Sequence, residues 1–319
     1  MEKHRVALVK CPGYESSSVS AALGRQFNLL GGLDKFILPG DSVLIKPNLI
    51  APKPAGCAAQ TDPAVIFELA KMLKDFGAKP FVADSPAWSN TFNCVKALGL
   101  HDKLEYLGVP VKQLDQPVSC RIGIDRIRVG ISRYAVEADK IINLPKFKMH
   151  QQIGATFAVK NMFGCVCGKK KALWHFKKGD SKDEFSTLLI DIYKYLAPAI
   201  NIIDAVLAME GAGPIRGNPK KLGFLIAGTD PISCETVCAN IVNLDPHSLP
   251  IVNTAAKLNF GCTDIRQIEI LGDPLPAPLT DFQHAPDMPI KFTLAHVLKS
   301  VIKQMLILTG RKKNNSPPL

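Results

Sequence analysis

The sequence predicts an α/β protein: a mostly parallel open sheet with helices on both faces, arranged as two lobes with a cleft at the carboxyl ends of the strands. Three observations predict it. Short apolar runs recur along the chain, bounded by turn residues, as buried strands are. Amphipathic stretches with recognisable caps and stops stand between many of them. Such alternation implies parallel strands joined by crossover helices, which cover the sheet on both sides.

In chain order, the expected strands are "RVALV" (5–9), "SVLIK" (42–46), "PFVAD" (80–84), "KIINL" (140–144), "INIID" (200–204), "GFLIAG" (223–228) and "IEIL" (268–271). Residues 16–30 read as a helix that begins with serines suited to capping and stops at Gly31-Gly32. "TDPAVIFELAKMLKDFG" is a complete helix signal: Thr61 or Asp62 caps it, Pro63 fits the first turn, and Gly77 ends it. "EFSTLLIDIYKYLAP" is helical up to Pro198, and a further helix starts at Asp230 or Ser233 and runs through Asn240. "RIGIDRIRVG" (121–130) reads as a hairpin. The expected division is an N-terminal α/β lobe over 1–117, a C-terminal α/β lobe over 118–284, and a basic amphipathic helix with a disordered tail over 285–319. In that last segment apolar residues recur at helical spacing from Phe292 to Leu308, with Lys291, Lys299 and Lys303 on the other side. It suits packing on the domain or on a second subunit, or peripheral contact with a membrane surface through 291–309.

With 47% hydrophobic and 21% charged residues, the chain can bury a large core. A net charge of +11 points to anionic partners. Aromatics make up 7% and do not interleave with basic residues, which argues against nucleic acid. The nine cysteines lack the spacing of a disulfide framework, and the start carries no signal peptide. No window reaches the ~18 apolar residues of a transmembrane helix, so the expected location is the reducing cytoplasm.

Ligands of open α/β sheets bind beyond the carboxyl ends of the strands. There this sequence places Lys46 and Asn48, then Asp84, then Lys146, Lys148 and His150, then Asp204, and last Asp230. These are expected to converge on one cleft. The stretch 145–164 carries three lysines, His150 and Asn161 without a carboxylate; 165–179 adds five lysines and His175, and the first acid is Asp180. Lys160, in the apolar setting "ATFAVKNMFG", cannot be cheaply buried as a bare ammonium and needs an anion. Lys46, Asn48, Lys146, Lys148 and Asn161 are the expected anion ligands. Asp84, Asp204 and Asp230 would orient the ligand or hold a metal, and Asp84 and Lys160 are catalytic candidates together with His150 and His175. His150 and His175 are suited to proton transfer, which a solvated lysine is not. The expected protein is an enzyme that binds a small anionic molecule, or a nucleotide-like and metal-bearing cofactor, in the cleft between the lobes. Alternatives are a carrier for a metal centre and an electron-transfer accessory to a separate ferredoxin.

Other motifs are weaker. "GCVCGKK" (164–170) fails the phosphate-loop spacing, and "GAGPIRG" (211–217) reads as a tight turn. Cys165 and Cys167 with His150 or His175 have the chemistry of a soft-metal site but lack a second cysteine pair.

Ordered phrases over about 5–275 resemble the domain of unknown function 362 family: "GDSVLIKPNLI", "TDPAVI", "GAKPFVADSP", "ADKIINLPKFKMH", "VKNMFGCVCGKKKALWH", "IIDAVLAMEGAGPIRGNP" and "LIAGTDPISCE". Many members of that family continue into a ferredoxin-like segment. No such cysteine run follows here, so no iron–sulfur cluster is expected in this chain. The family tends to have aspartate where this chain has Glu235. His150, Lys160 and His175 also resemble the spacing of lactate racemase and its relatives. That resemblance implies a nickel-pincer nucleotide joined to Lys160, His175 as the nickel ligand and His150 as a catalytic acid or base. This chain departs from the racemases at Asp84-Ser85-Pro86, where they carry a further catalytic histidine, and at Ala158-Val159-Lys160, where they read Gly-Gly-Arg-Lys.

Overall fold

A computed structural model of the chain describes residues 4–168 and 170–290. Of the expected segment 285–319, with its amphipathic helix and tail, all but 285–290 lies outside the described residues. Twelve strands are described: β1 (His4–Lys10), β2 (Ser42–Pro47), β3 (Lys79–Asp84), β4 (Val111–Gln113), β5 (Pro117–Ile122), β6 (Ile127–Ser132), β7 (Lys140–Leu144), β8 (Lys146–His150), β9 (Gly154–Thr156), β10 (Ile200–Glu210), β11 (Asn218–Gly228) and β12 (Ile268–Gly272). All seven strands expected from the apolar runs form. Ten strands build one sheet in the order β12-β1-β11-β10-β7-β2-β3-β4, with β8 beside β10 and β9 beside β8. Most neighbours run parallel; β11 is antiparallel to both β1 and β10. β5 and β6 form the expected hairpin as a separate two-stranded sheet.

Helices α1 (Ser16–Leu30), α2 (Pro63–Asp75), α3 (Thr91–Ala97) and α4 (His101–Tyr106) come from the first part of the chain. They bury Val19 and Leu23, Val65 and Leu69, Val95, and Leu104 in one core, which includes Val43, Ile45, Val82 and Ile142 of the sheet. After α5 (Arg133–Val136) come α6 (Ala158–Met162), α7 (Lys170–Lys178), α8 (Lys182–Leu196), α9 (Pro231–Ile241) and α10 (Pro250–Lys257). Val159, Leu189, Val237 and Val252 from this group belong to a second core with Leu44, Phe81, Ile141 and Ile203. Alternation along β2 thus sends Val43 and Ile45 to one core and Leu44 to the other, which is why the strand reads as continuously apolar. Each fully buried side chain of this kind stabilises the fold by about 1.5–3 kcal/mol before chain entropy is counted.

The expected lobes, divided at 117, do not form separate sheets among the described residues. β2 pairs with β7, and β1 with β11 and β12, so strands from both parts share one sheet. The two parts instead supply helices to different cores.

Local signals behave as their chemistry dictates. Asp62 caps α2 by accepting from the Ala64 N–H, with Pro63 in the first turn. α1 follows Glu15, whose side chain makes no capping hydrogen bond, so the expected serine cap does not form; Gly31 ends the helix in the left-handed region at φ 109°. Asp230 caps α9.

Candidate anion-binding site

The site begins with β8, which sequence reading took only as a lysine-rich segment. Its five residues alternate. Phe147 and Met149 enter the core, while Lys146, Lys148 and His150 occupy the alternate positions, all of them buried. β8 pairs with β10, setting Lys146 opposite Asp204. Gly213, in the turn between β10 and β11, lies so close to β8 that a Cβ would collide with the Met149 carbonyl. The "GAGPIRG" segment is therefore a tight turn that packs on the site's strand.

Two lysines are neutralised within the fold. Lys46 Nζ lies 2.7 Å from Asp84 Oδ1, and Lys146 Nζ lies 2.7 Å from Asp204 Oδ2; all four residues are buried. Asp84 also accepts from the backbone N–H groups of Leu49 at 2.8 Å and Ser85 at 2.7 Å. Asp204 accepts from the Tyr14 hydroxyl at 2.8 Å and the Asp62 N–H at 2.9 Å. Gly164 is required beside the first pair. A Cβ there would stand 2.5 Å from Asp84 Oδ1 and 2.7 Å from Lys46 Nζ.

Lys148, Lys160 and Lys171 differ. Lys148 is 1% exposed and donates to the Ala59 carbonyl at 2.7 Å. Lys171, on α7, donates to the Ser85 carbonyl. Lys160, half-buried on α6, stands 4.9 Å from the centre of the Phe163 ring. None of the three pairs with a carboxylate among the described residues. Burial, then the nearby Lys160 charge, lowers Lys148 to about 7. Burial and the Lys171 and Lys46 charges lower Lys160 to about 8; burial, with Lys46 adding to it against Asp84, lowers Lys171 to about 8. Lys171 was not singled out from sequence, although it lies four residues before His175, which places both on one face of α7.

Both histidines belong to this neighbourhood. Burial, then the Lys160 charge, holds His150 well below its ordinary value and His175 at about 3, so both are neutral at physiological pH. Nδ1 of His150 accepts from the Gln152 N–H at 3.2 Å, which leaves the proton of the neutral ring on Nε2. His175 packs against the rings of Phe185 and Phe163, at 4.6 and 5.7 Å.

A row of buried amides crosses the sheet to the same place. Asn201 Nδ2 donates to the Gly228 carbonyl at 3.0 Å. Asn143 Nδ2 donates to Asn201 Oδ1 and the Ala158 carbonyl, both at 2.8 Å. Asn161 Nδ2 donates to Asn143 Oδ1 at 2.8 Å and the Lys46 carbonyl at 3.1 Å. Asn48 Nδ2 donates to Asn161 Oδ1 at 2.9 Å, beside the Lys46 ammonium at 3.4 Å from the same oxygen. Asn48 and Asn161 were expected as ligands; the row itself was not anticipated.

Asp230 is not with the others. Because β11 runs antiparallel to β10, its carboxyl end lies at the opposite edge of the sheet. There Asp230 accepts from Ser233 Oγ at 2.6 Å and the Cys262 N–H at 2.9 Å, with His4 Nδ1 at 2.8 Å. The expectation of one cleft including Asp230 is corrected accordingly. Nor do Cys165 and Cys167 form a group of three metal-ligating side chains with a histidine among the described residues. Among the described residues, the only group of three metal-ligating side chains within reach of one another is half-buried His101 with exposed Asp102 and Glu105.

The lowered lysines give a signed pH prediction. A lysine whose folded value lies below its unfolded one sheds its proton on folding between the two, so stability rises with pH in that window. Here the window runs from about 7 to about 10.4. In urea unfolding at about pH 7 and about pH 9.5, the wild type should gain stability relative to the triple variant Lys148→Met/Lys160→Met/Lys171→Met as pH rises. A gap independent of pH would contradict the lowered values.

The fold and the site define an open α/β protein with a cluster of buried lysines and histidines towards the carboxyl edge of its parallel strands. A family model described as domain of unknown function (DUF362) matches residues 43–240, and the chain belongs to that family. It is 34% identical over 311 residues to the Thylakoid-associated protein sll1697 of Synechocystis sp., spanning 95% of this chain and 94% of that one. Among solved structures, the lactate racemase apoprotein of Thermoanaerobacterium thermosaccharolyticum aligns with 72% of this chain at 12% identity and a TM-score of 0.47. This chain spans 56% of that protein's length, and a likeness of this degree carries nothing about activity. No helix among the described residues is long and apolar enough to cross a membrane.

Proposed function

We propose that the protein binds a small, multiply charged anion through Lys148, Lys160 and Lys171, with His150 and His175 as neutral groups for proton transfer beside it. The observation that carries this reading is the set of three ammoniums that no carboxylate pairs among the described residues. Asp84 acts electrostatically on two of them, but its oxygens already bond Lys46, Leu49 and Ser85. Grouping buried like charges destabilises a fold, and an anionic ligand offsets that cost. Lys46 and Lys146, each paired with its own aspartate, hold the frame rather than the ligand.

One observation favours a metal-bearing nucleotide as the anion. Lys160 is the leading charge acting on both His150 and His175, so the three residues share a neighbourhood, and neutral imidazoles suit metal ligation. Lys148 and Lys171 would hold its phosphate, Lys160 would be its tether or anion ligand, and His175 would ligate the metal. Such a group would supply an electron sink or Lewis acid; His150 would donate a proton from Nε2. A carrier would bind the same anion without turnover, and an accessory to a separate ferredoxin would need a redox centre bound with it. The spacing of the nine cysteines is not that of a disulfide framework, which suits the cytoplasm, the compartment we propose.

Calorimetric titration with pyrophosphate tests the binding reading. The wild type should bind, and Lys160→Met and Lys171→Met should each weaken binding about tenfold or more, the scale of one charge-assisted hydrogen bond. Absence of binding, or variants that bind as the wild type does, would remove it.

A further inference from the structure

We infer that the anion held at this site still carries an O–H group and donates it to Oδ1 of Asn48, so that the ligand class is a protonated oxyanion such as hydrogen phosphate or a singly protonated phosphate ester. This inference rests on the anion-site reading and adds to it the ligand's donor.

The orientation of Asn48 is fixed by the row of amides behind it. Asn201, Asn143 and Asn161 each donate to a backbone carbonyl, of Gly228, Ala158 and Lys46 respectively, which sets which end of each amide is nitrogen. Asn161 Oδ1 consequently faces Asn48 and can only accept. Asn48 must turn its Nδ2 toward it, at 2.9 Å, and its own Oδ1 away. That Oδ1 is buried and has no hydrogen-bond partner among the described residues. A buried acceptor left unmet is rare in a folded protein and destabilising, so a donor from elsewhere belongs there.

No lysine ammonium, that of Lys160 included, lies within hydrogen-bond distance of that oxygen among the described residues. The Lys46 ammonium bonds Asp84, the Pro47 carbonyl at 2.6 Å and Asn161 Oδ1, while those of Lys148 and Lys171 bond Ala59 and Ser85. An oxyanion without a proton would present one more acceptor to Asn48 and leave it unmet. An oxyanion with an O–H satisfies both the ammoniums and the amide oxygen. A site built to accept a ligand's proton rejects the analogue that lacks it far more strongly than size alone would allow.

Hydrogen phosphate and sulfate make the test, because at about pH 8 both are tetrahedral dianions and only the first carries an O–H. Their affinities are to be measured by calorimetry at equal ionic strength, on the wild type and on Asn48→Ala and Asn48→Ser. The wild type should prefer hydrogen phosphate by about tenfold or more, and the preference should collapse toward unity in Asn48→Ala. Equal affinity of the wild type for both ions overturns the inference and leaves the anion site standing. A preference that survives in both variants also overturns it. If neither ion binds the wild type while pyrophosphate does, this inference falls and the anion-site reading stands; if pyrophosphate fails to bind as well, both fall. The wild-type ratio needs no substitution, so a variant that failed to fold would not shield the claim.

Discussion

Asp204→Ala is expected to destabilise the protein by about 3–5 kcal/mol, the range for removing one partner of a buried ion pair. Asp204 is fully buried and meets four donors: the Lys146 ammonium, the Tyr14 hydroxyl and the N–H groups of Asp62 and Val206. Its loss leaves Lys146, 1% exposed, with the Tyr14 oxygen at 2.7 Å and no carboxylate in place of Asp204. A second readout separates this from simple loss of packing. Burial, then the Asp204 charge, raises Asp62 to about 6. Removing Asp204 should lower that value in NMR titration. Chemical denaturation showing a loss below about 1 kcal/mol would mean that the pair is solvated in solution.

Lys148→Met is expected to act with the opposite sign on stability. Lys148 is as buried as Lys146, yet its ammonium meets a carbonyl, that of Ala59, rather than a carboxylate. Methionine has similar length and no charge to desolvate. Unfolding should therefore show the variant unchanged or more stable by about 1–3 kcal/mol, while pyrophosphate affinity falls about tenfold or more. Lys146→Met is the control. It strands Asp204, so it should destabilise the protein. If Lys148→Met destabilised the fold as Lys146→Met does, Lys148 would be a structural lysine and the anion reading would lose its deepest ligand.

Much of this was legible in the sequence because each signal was local. The apolar runs gave the strands, Asp62-Pro63 to Gly77 gave α2, and the carboxylate-free stretch from Pro145 to Gly179 marked the place where charge gathers. What stayed hidden depends on pairing between distant segments. Alternation in "KFKMH" was present, but five residues with charges on one side read equally as a loop. Nothing local says that β11 runs antiparallel to β10, and that single reversal takes Asp230 to the other edge of the sheet. The pairing of Lys46 with Asp84 and of Lys146 with Asp204 separates the lysines neutralised within the fold from those that no carboxylate pairs among the described residues, and it exists only once β2, β3, β8 and β10 are assembled. Tyr14, which touches Lys146 and Asp204 across more than 130 residues, carries no local sign of that role.

The most direct measurement of the central claim is a crystal structure of the protein soaked with pyrophosphate. The account predicts difference density for the anion within hydrogen-bond reach of the Lys148, Lys160 and Lys171 ammoniums, with Lys46 still on Asp84 and Lys146 still on Asp204. An anion bound elsewhere, with Lys148 still held by the Ala59 carbonyl and Lys171 by that of Ser85, would contradict it.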